Sequence, residues 1–119
     1  MSKSNQKNGT SLCLELDDDG YPTDETLKLI SEYSLLDKSA KQLLDDIKPI
    51  WNYVDSGYWC VEETETHYKY NLSTAGWSGN EDIIRALQKN FIFWHMYWYS
   101  SRRGGHHVFE LRKVKNELQ

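Results

Sequence analysis

Phe91-Ile92-Phe93-Trp94-His95-Met96-Tyr97-Trp98-Tyr99 is apolar or aromatic at nearly every position. Such a run predicts a strand covered on both faces, and hence the centre of a sheet. Alternation sends Phe91, Phe93, His95, Tyr97 and Tyr99 one way and Ile92, Trp94, Met96 and Trp98 the other. Each buried ring is worth on the order of 2–3 kcal/mol. Two aromatic faces exceed what a small core needs, so one of them doubles as a platform for a planar ligand or a partner protein. Arg102-Arg103-Gly104-Gly105 then reads as a turn, and His107–Arg112 returns as the paired strand.

Upstream of this run, Ser78-Gly79-Asn80-Glu81 has the spacing of a capping box and opens a helix carrying Ile83, Ile84 and Leu87. Before it, Tyr58–Glu62 and His67–Ser73 alternate with period two across a Glu63-Thr64-Glu65-Thr66 turn. Two earlier helices start at Thr23 and Ser39, each a good cap, with Gln42 completing a box at the second. Leu27, Ile30 and Tyr33 line the first, and Leu43, Leu44, Ile47, Ile50, Trp51 and Val54 keep helical spacing through Pro49. Pro49 either kinks that helix or opens a new one. The expected fold is α+β in the order ααββαββ, a small antiparallel sheet of two hairpins with about three helices packed on it. Residues 12–119 form one domain, and 1–11 a flexible polar tail.

Composition narrows the classes further. The 119 residues include 5 Trp, 8 Tyr and 3 Phe, and the net charge is −4. No stretch is long and apolar enough for a membrane span, and the start has no apolar leader region, so a cytoplasmic protein is expected. Charge is divided along the chain: residues 1–66 hold 14 acidic and 6 basic side chains, residues 67–119 hold 4 and 8. That is no basic coat for nucleic acid, which is disfavoured as a partner. Cys13 and Cys60 sit between apolar neighbours and read as buried reduced thiols. Asp17-Asp18-Asp19-Gly20 misses calcium-loop spacing: with Gly20 at the sixth position, Thr26 stands where the bidentate Glu belongs. It reads as a solvated turn, and no metal or cofactor is expected.

Two constellations carry chemistry. Leu72-Ser73-Thr74-Ala75-Gly76-Trp77-Ser78-Gly79-Asn80-Glu81 is a strand–loop–helix junction whose glycines and free helix-start N–H groups suit an anion. Thr74 and Ser78 add hydroxyl donors, yet no dinucleotide or phosphate-loop fingerprint is present. Ser100-Ser101-Arg102-Arg103-Gly104-Gly105-His106-His107 holds more than a hairpin turn requires, because arginine forks recognise phosphate or carboxylate. A catalytic role for Ser78 with His106 or His107 as base requires the two loops to meet, and no catalytic residue is assigned.

These two stretches, with Tyr21-Pro22-Thr23-Asp24-Glu25-Thr26-Leu27, resemble a family of small uncharacterised phage and prophage proteins. Its members carry similar Ser-Thr-x-Gly-Trp-Ser-Gly-Asn-Glu and Ser-Arg-Arg-Gly-Gly-His stretches. Ala75 stands where the resemblance implies glycine. It implies an accessory protein acting in a host cytoplasm, and no activity. The expected function is non-catalytic binding of an anionic, nucleotide-like small ligand by Thr74, Gly76, Trp77, Ser78, Gly79, Asn80, Tyr99, Arg102, Arg103 and His106. The competing reading is inhibition of a host protein through an aromatic surface, with an acidic rim from residues 15–65. A third is a small enzyme, and self-association is left open.

Overall fold

The computed structural model describes residues 13–35, 39–52 and 58–113. The expected tail and the helical placing of Val54 lie outside them. Two short helices come first, α1 (Asp24–Ser31) and α2 (Ala40–Ile47), the latter running into a 3-10 turn over Lys48–Ile50. The hairpin β1 (Trp59–Glu63) and β2 (His67–Ser73) follows, then α3 (Ser78–Lys89) and α4 (Phe91–Tyr97). A second hairpin, β3 (Trp98–Arg102) and β4 (His106–Arg112), follows. The sheet is antiparallel throughout, in the order β1-β2-β4-β3. This is the expected α+β architecture with one helix more. No described helix is long and apolar enough to cross a membrane.

Local chemistry accounts for most element ends. Thr23 accepts a hydrogen bond from the Thr26 N–H and Ser39 from the Gln42 N–H, so both helix starts stand where the caps put them. One turn further on, the Gln42 side-chain amide donates to Asp46. Pro49 sits in the 3-10 turn, where its missing N–H leaves no gap. Asp17 holds the acidic turn by accepting from the Asp19 and Tyr21 N–H groups. At α3 the capping expectation fails. The cap position is Trp77, whose side chain makes no capping bond.

The aromatic run is the main correction. Residues 91–97 are helix, and only Trp98 onward is strand, at the edge of the sheet and not its centre. Asn90 makes the difference. Its side-chain oxygen accepts from the Phe93 N–H, capping α4, while its amide donates to the Ile30 and Tyr33 carbonyls at the end of α1. One buried amide thus separates α3 from α4 and ties both to α1. Helical spacing turns Phe93 inward, with Trp94 and Tyr97 packed beside it, and leaves Phe91, Ile92 and Met96 outside.

The helices cover one face of the sheet. Tyr70 and Leu72 of β2 and Phe109 and Leu111 of β4 are buried there against Ile30, Leu43, Leu44, Ile47, Ile83, Leu87 and Phe93. The Tyr70 hydroxyl donates to Asp45 of α2, and burial followed by that bond pushes its pKa far up. The opposite face carries Lys69, Asn71 and Ser73 of β2 in register with Glu110, Val108 and His106 of β4. Cys13 and Cys60 are exposed, contrary to the buried thiols expected; β1 is an edge strand, and apolar neighbours there do not imply cover.

Candidate functional site

The register of the sheet decides where the two glycine-rich segments lie. β2 and β4 pair with Ser73 opposite His106, so the loop leaving β2 and the turn entering β4 emerge side by side. Their backbones bond directly: the Thr74 N–H donates to the Gly105 carbonyl at 2.9 Å. Gly105 has φ +80°, and a Cβ there would collide with the Thr74 hydroxyl. Only glycine lets the turn come this close.

Thr74 is the hub of the junction. It is buried, its hydroxyl accepts from the Gly76 N–H at 3.3 Å and donates to Glu81 at 3.4 Å, and its carbonyl accepts from the Trp77 N–H at 2.8 Å. The loop turns through two left-handed residues, Ala75 (φ +55°) and Gly76 (φ +72°). An alanine in that region costs roughly 1–2 kcal/mol. Ala75→Gly is therefore expected to stabilise the fold by about 0.5–1 kcal/mol after the extra freedom of the unfolded glycine is subtracted. Urea unfolding at constant m-value checks it, and an unchanged or lower midpoint refutes it.

Ser78 and Gly79 begin α3 without a capping bond from the Trp77 side chain. The Ser78 hydroxyl donates to the Tyr21 hydroxyl at 3.1 Å, and Trp77 packs its ring against Tyr21 at 4.8 Å. Trp77 is thus half-exposed and leans on the chain before α1. Asn80 is spent on structure. Its oxygen accepts from the Asn52 N–H and its amide donates to the Asn52 and Thr74 carbonyls, which clamps the segment after the 3-10 turn onto the loop.

Across the gap, Arg102 and Arg103 are exposed, and neither forms an ion pair among the described residues. His106 is half-buried, opposite Ser73. Tyr99 lies along β3 with the Lys69 ammonium 5.0 Å from its ring centre. The loop, the turn, Arg102 and His106 therefore share one end of the sheet, whereas Tyr99 sits further along it. No group of three His, Cys, Asp or Glu side chains among the described residues is placed to hold a metal.

One arrangement went unforeseen. Trp98 Nε1–H donates to Ser101 Oγ at 2.7 Å, and Ser101 Oγ lies 2.8 Å from His107 Nδ1. Indole only donates, so Ser101 Oγ accepts from Trp98, and the direction of its bond with Nδ1 follows the tautomer of the His107 ring. Burial, then the neighbouring His106, holds the His107 pKa below the ordinary histidine value, against an opposing pull from Glu81. The hairpin arithmetic contains the signal. A turn centred on Gly104 pairs Arg102 with His106 and so Ser101 with His107. Ser78, whose pairing with a histidine required the two loops to meet, hydrogen-bonds Tyr21.

No protein-family model, curated protein or solved structure matches the chain.

Proposed function

We propose that this is a non-catalytic binding protein of the phage accessory type, working in a host cytoplasm, that takes an anionic, nucleotide-like small ligand where the two glycine-rich loops meet. The observation that carries the reading is the Thr74–Gly105 backbone bond at 2.9 Å, which joins the loop leading into α3 to the turn that holds two arginines without an ion pair among the described residues. Phosphate chemistry suits that combination, because helix-start N–H groups donate to anionic oxygens and guanidinium forks add charge-assisted bonds. In this reading Arg102 and Arg103 neutralise the anion, the Ser78 and Gly79 N–H groups at the start of α3 donate to it, the Ser78 hydroxyl turns from Tyr21 to join them, and His106 closes the side next to Ser73. Trp77 or Tyr99 stacks a base. Thr74 and Asn80 hold the loop in shape from below.

The test is a thermal-shift series with nucleoside mono-, di- and triphosphates, cyclic nucleotides and inorganic phosphate. A ligand at a hundred times its Kd adds about 2.7 kcal/mol of stability, which raises Tm by roughly 10 °C or more in a domain of this size. The rise is expected to saturate, and to vanish in Arg102→Ala/Arg103→Ala. A flat response to the whole panel, or a rise that the double variant keeps, overturns the proposal.

A further inference from the structure

The sheet face turned away from the helices is polar, and its charge changes from one end to the other. Leu72 and Phe109 are buried under the helices, so alternation sends Ser73 and His106 to the opposite face, and Arg102 with them through its pairing with His106. These three stand side by side across β2, β4 and β3, at the end where the glycine-rich loops meet, and none of them is an acid. The next row, Asn71, Val108 and Ser100, is small and uncharged. Beyond it Lys69 of β2 stands between Glu62 of β1 and Glu110 of β4, and its ammonium lies 5.0 Å from the centre of the Tyr99 ring.

Glu110 is the unexplained group on this face. It is half-buried, yet its carboxylate forms no hydrogen bond or ion pair among the described residues, and the ammonium of Lys69 opposite it turns to Tyr99. A partly buried acceptor without a donor suits a ligand that brings N–H groups. Tyr99 beside it is 56% exposed. Of the two rings able to stack a base, Tyr99 shares this face with Arg102 and His106, whereas Trp77 stands in the loop with its ring against Tyr21 at 4.8 Å.

We infer that the anionic ligand is a guanine nucleotide lying along this open face, with its phosphate at Arg102 and His106, its base on Tyr99 and the edge of that base on Glu110. The inference rests on the anion-binding reading and names the ligand of that same site. A carboxylate only accepts hydrogen bonds. Guanine is the common base whose edge offers such an acceptor two adjacent donors, N1–H and the N2 amino group, and its O6 beside them accepts from the Lys69 ammonium. Adenine and cytosine place a ring-nitrogen acceptor next to their amino group, and uracil flanks its one N–H with two carbonyls. Each of those sets a lone pair against Glu110. From Arg102 to Tyr99, and from His106 to Glu110, the strands advance roughly 10–13 Å, a span that one nucleoside monophosphate and side chains of this length cover.

Calorimetric titration of the full chain with guanosine, adenosine, cytidine and uridine monophosphates and with inorganic phosphate tests this. Guanosine monophosphate should bind about tenfold or more tighter than the other three nucleotides, the discrimination of one bidentate pair, and inorganic phosphate should bind weakest. Glu110→Gln should erase that preference, weakening guanosine monophosphate about tenfold and leaving adenosine monophosphate within about twofold. Tyr99→Leu should weaken all four nucleotides together and leave inorganic phosphate unchanged. Both variants should keep the wild-type circular dichroism spectrum. Four nucleotides of equal affinity overturn the inference and leave the anion-binding reading standing, as does a guanine preference that survives Glu110→Gln. Absence of binding by all five compounds overturns both.

Discussion

Phe93→Ala should cost the fold about 4 kcal/mol, while Phe91→Ala, two residues away, should change it by no more than about 0.5 kcal/mol. Phe93 is fully buried, with Tyr97 at 5.5 Å and Phe109 at 5.3 Å between ring centres, and truncation leaves a cavity bounded by both rings. Phe91 is 80% exposed. In a strand the two side chains share a face, and truncating them gives comparable losses. In a helix they stand 200° apart at about 100° per residue. Against a total stability of roughly 5–15 kcal/mol, 4 kcal/mol lowers Tm by roughly 20 °C. Chemical denaturation of the two variants measures it. Losses within 1 kcal/mol of each other would remove α4 from the fold.

That contrast also shows where the sequence is legible. Caps are local: Thr23 and Ser39 announce α1 and α2 through one side chain and the N–H three residues on. Alternation is local too, and it placed β2 and the returning strand β4. In residues 91–99 nearly every position is apolar, so neither period stands out, and β-rich composition favoured a strand. What decided the outcome was Asn90, whose amide is satisfied by carbonyls 57 and 60 residues earlier in the chain. A tertiary bond of that separation has no local signature. The same holds at α3, where Ser78 and Glu81 have capping-box spacing but Trp77 takes the cap position and Glu81 turns to Thr74.

The candidate site was legible in its parts and not in its assembly. Glycine and arginine pairs beyond the needs of a turn singled out both loops. Their meeting follows from β2 pairing with β4, a neighbour relation that skips α3, α4 and β3 and that element order alone does not contain. Asn80 illustrates the other side of the same problem. Its place in a glycine-rich loop suggests a ligand donor, yet its amide group is used on Asn52 and Thr74.

Gly105→Ala should destabilise the protein by about 3 kcal/mol, and Gly104→Ala by only about 1–2 kcal/mol. Both glycines are left-handed, at φ +80° and +86°, so the backbone cost is common to the two. Nothing lies near a Cβ on Gly104, whereas one on Gly105 runs into the Thr74 hydroxyl. Thr74 cannot simply rotate away. Its hydroxyl serves the Gly76 N–H and Glu81, and its N–H is the one bonded to Gly105. The excess over Gly104→Ala therefore measures how tightly the two loops are pressed together. Thr74→Ala in the Gly105→Ala background should return about 1 kcal/mol or more, because the colliding oxygen is gone. Equal losses at the two glycines, or no coupling to Thr74, would mean that the loops stand apart in solution. The arginines would then face open water and not the start of α3, and an anion would find only one of its two sets of donors. If the coupling holds, Gly105→Ala should also weaken the ligand-induced rise in Tm although it removes no donor, since it moves the turn, and Arg102 and Arg103 with it, relative to the start of α3.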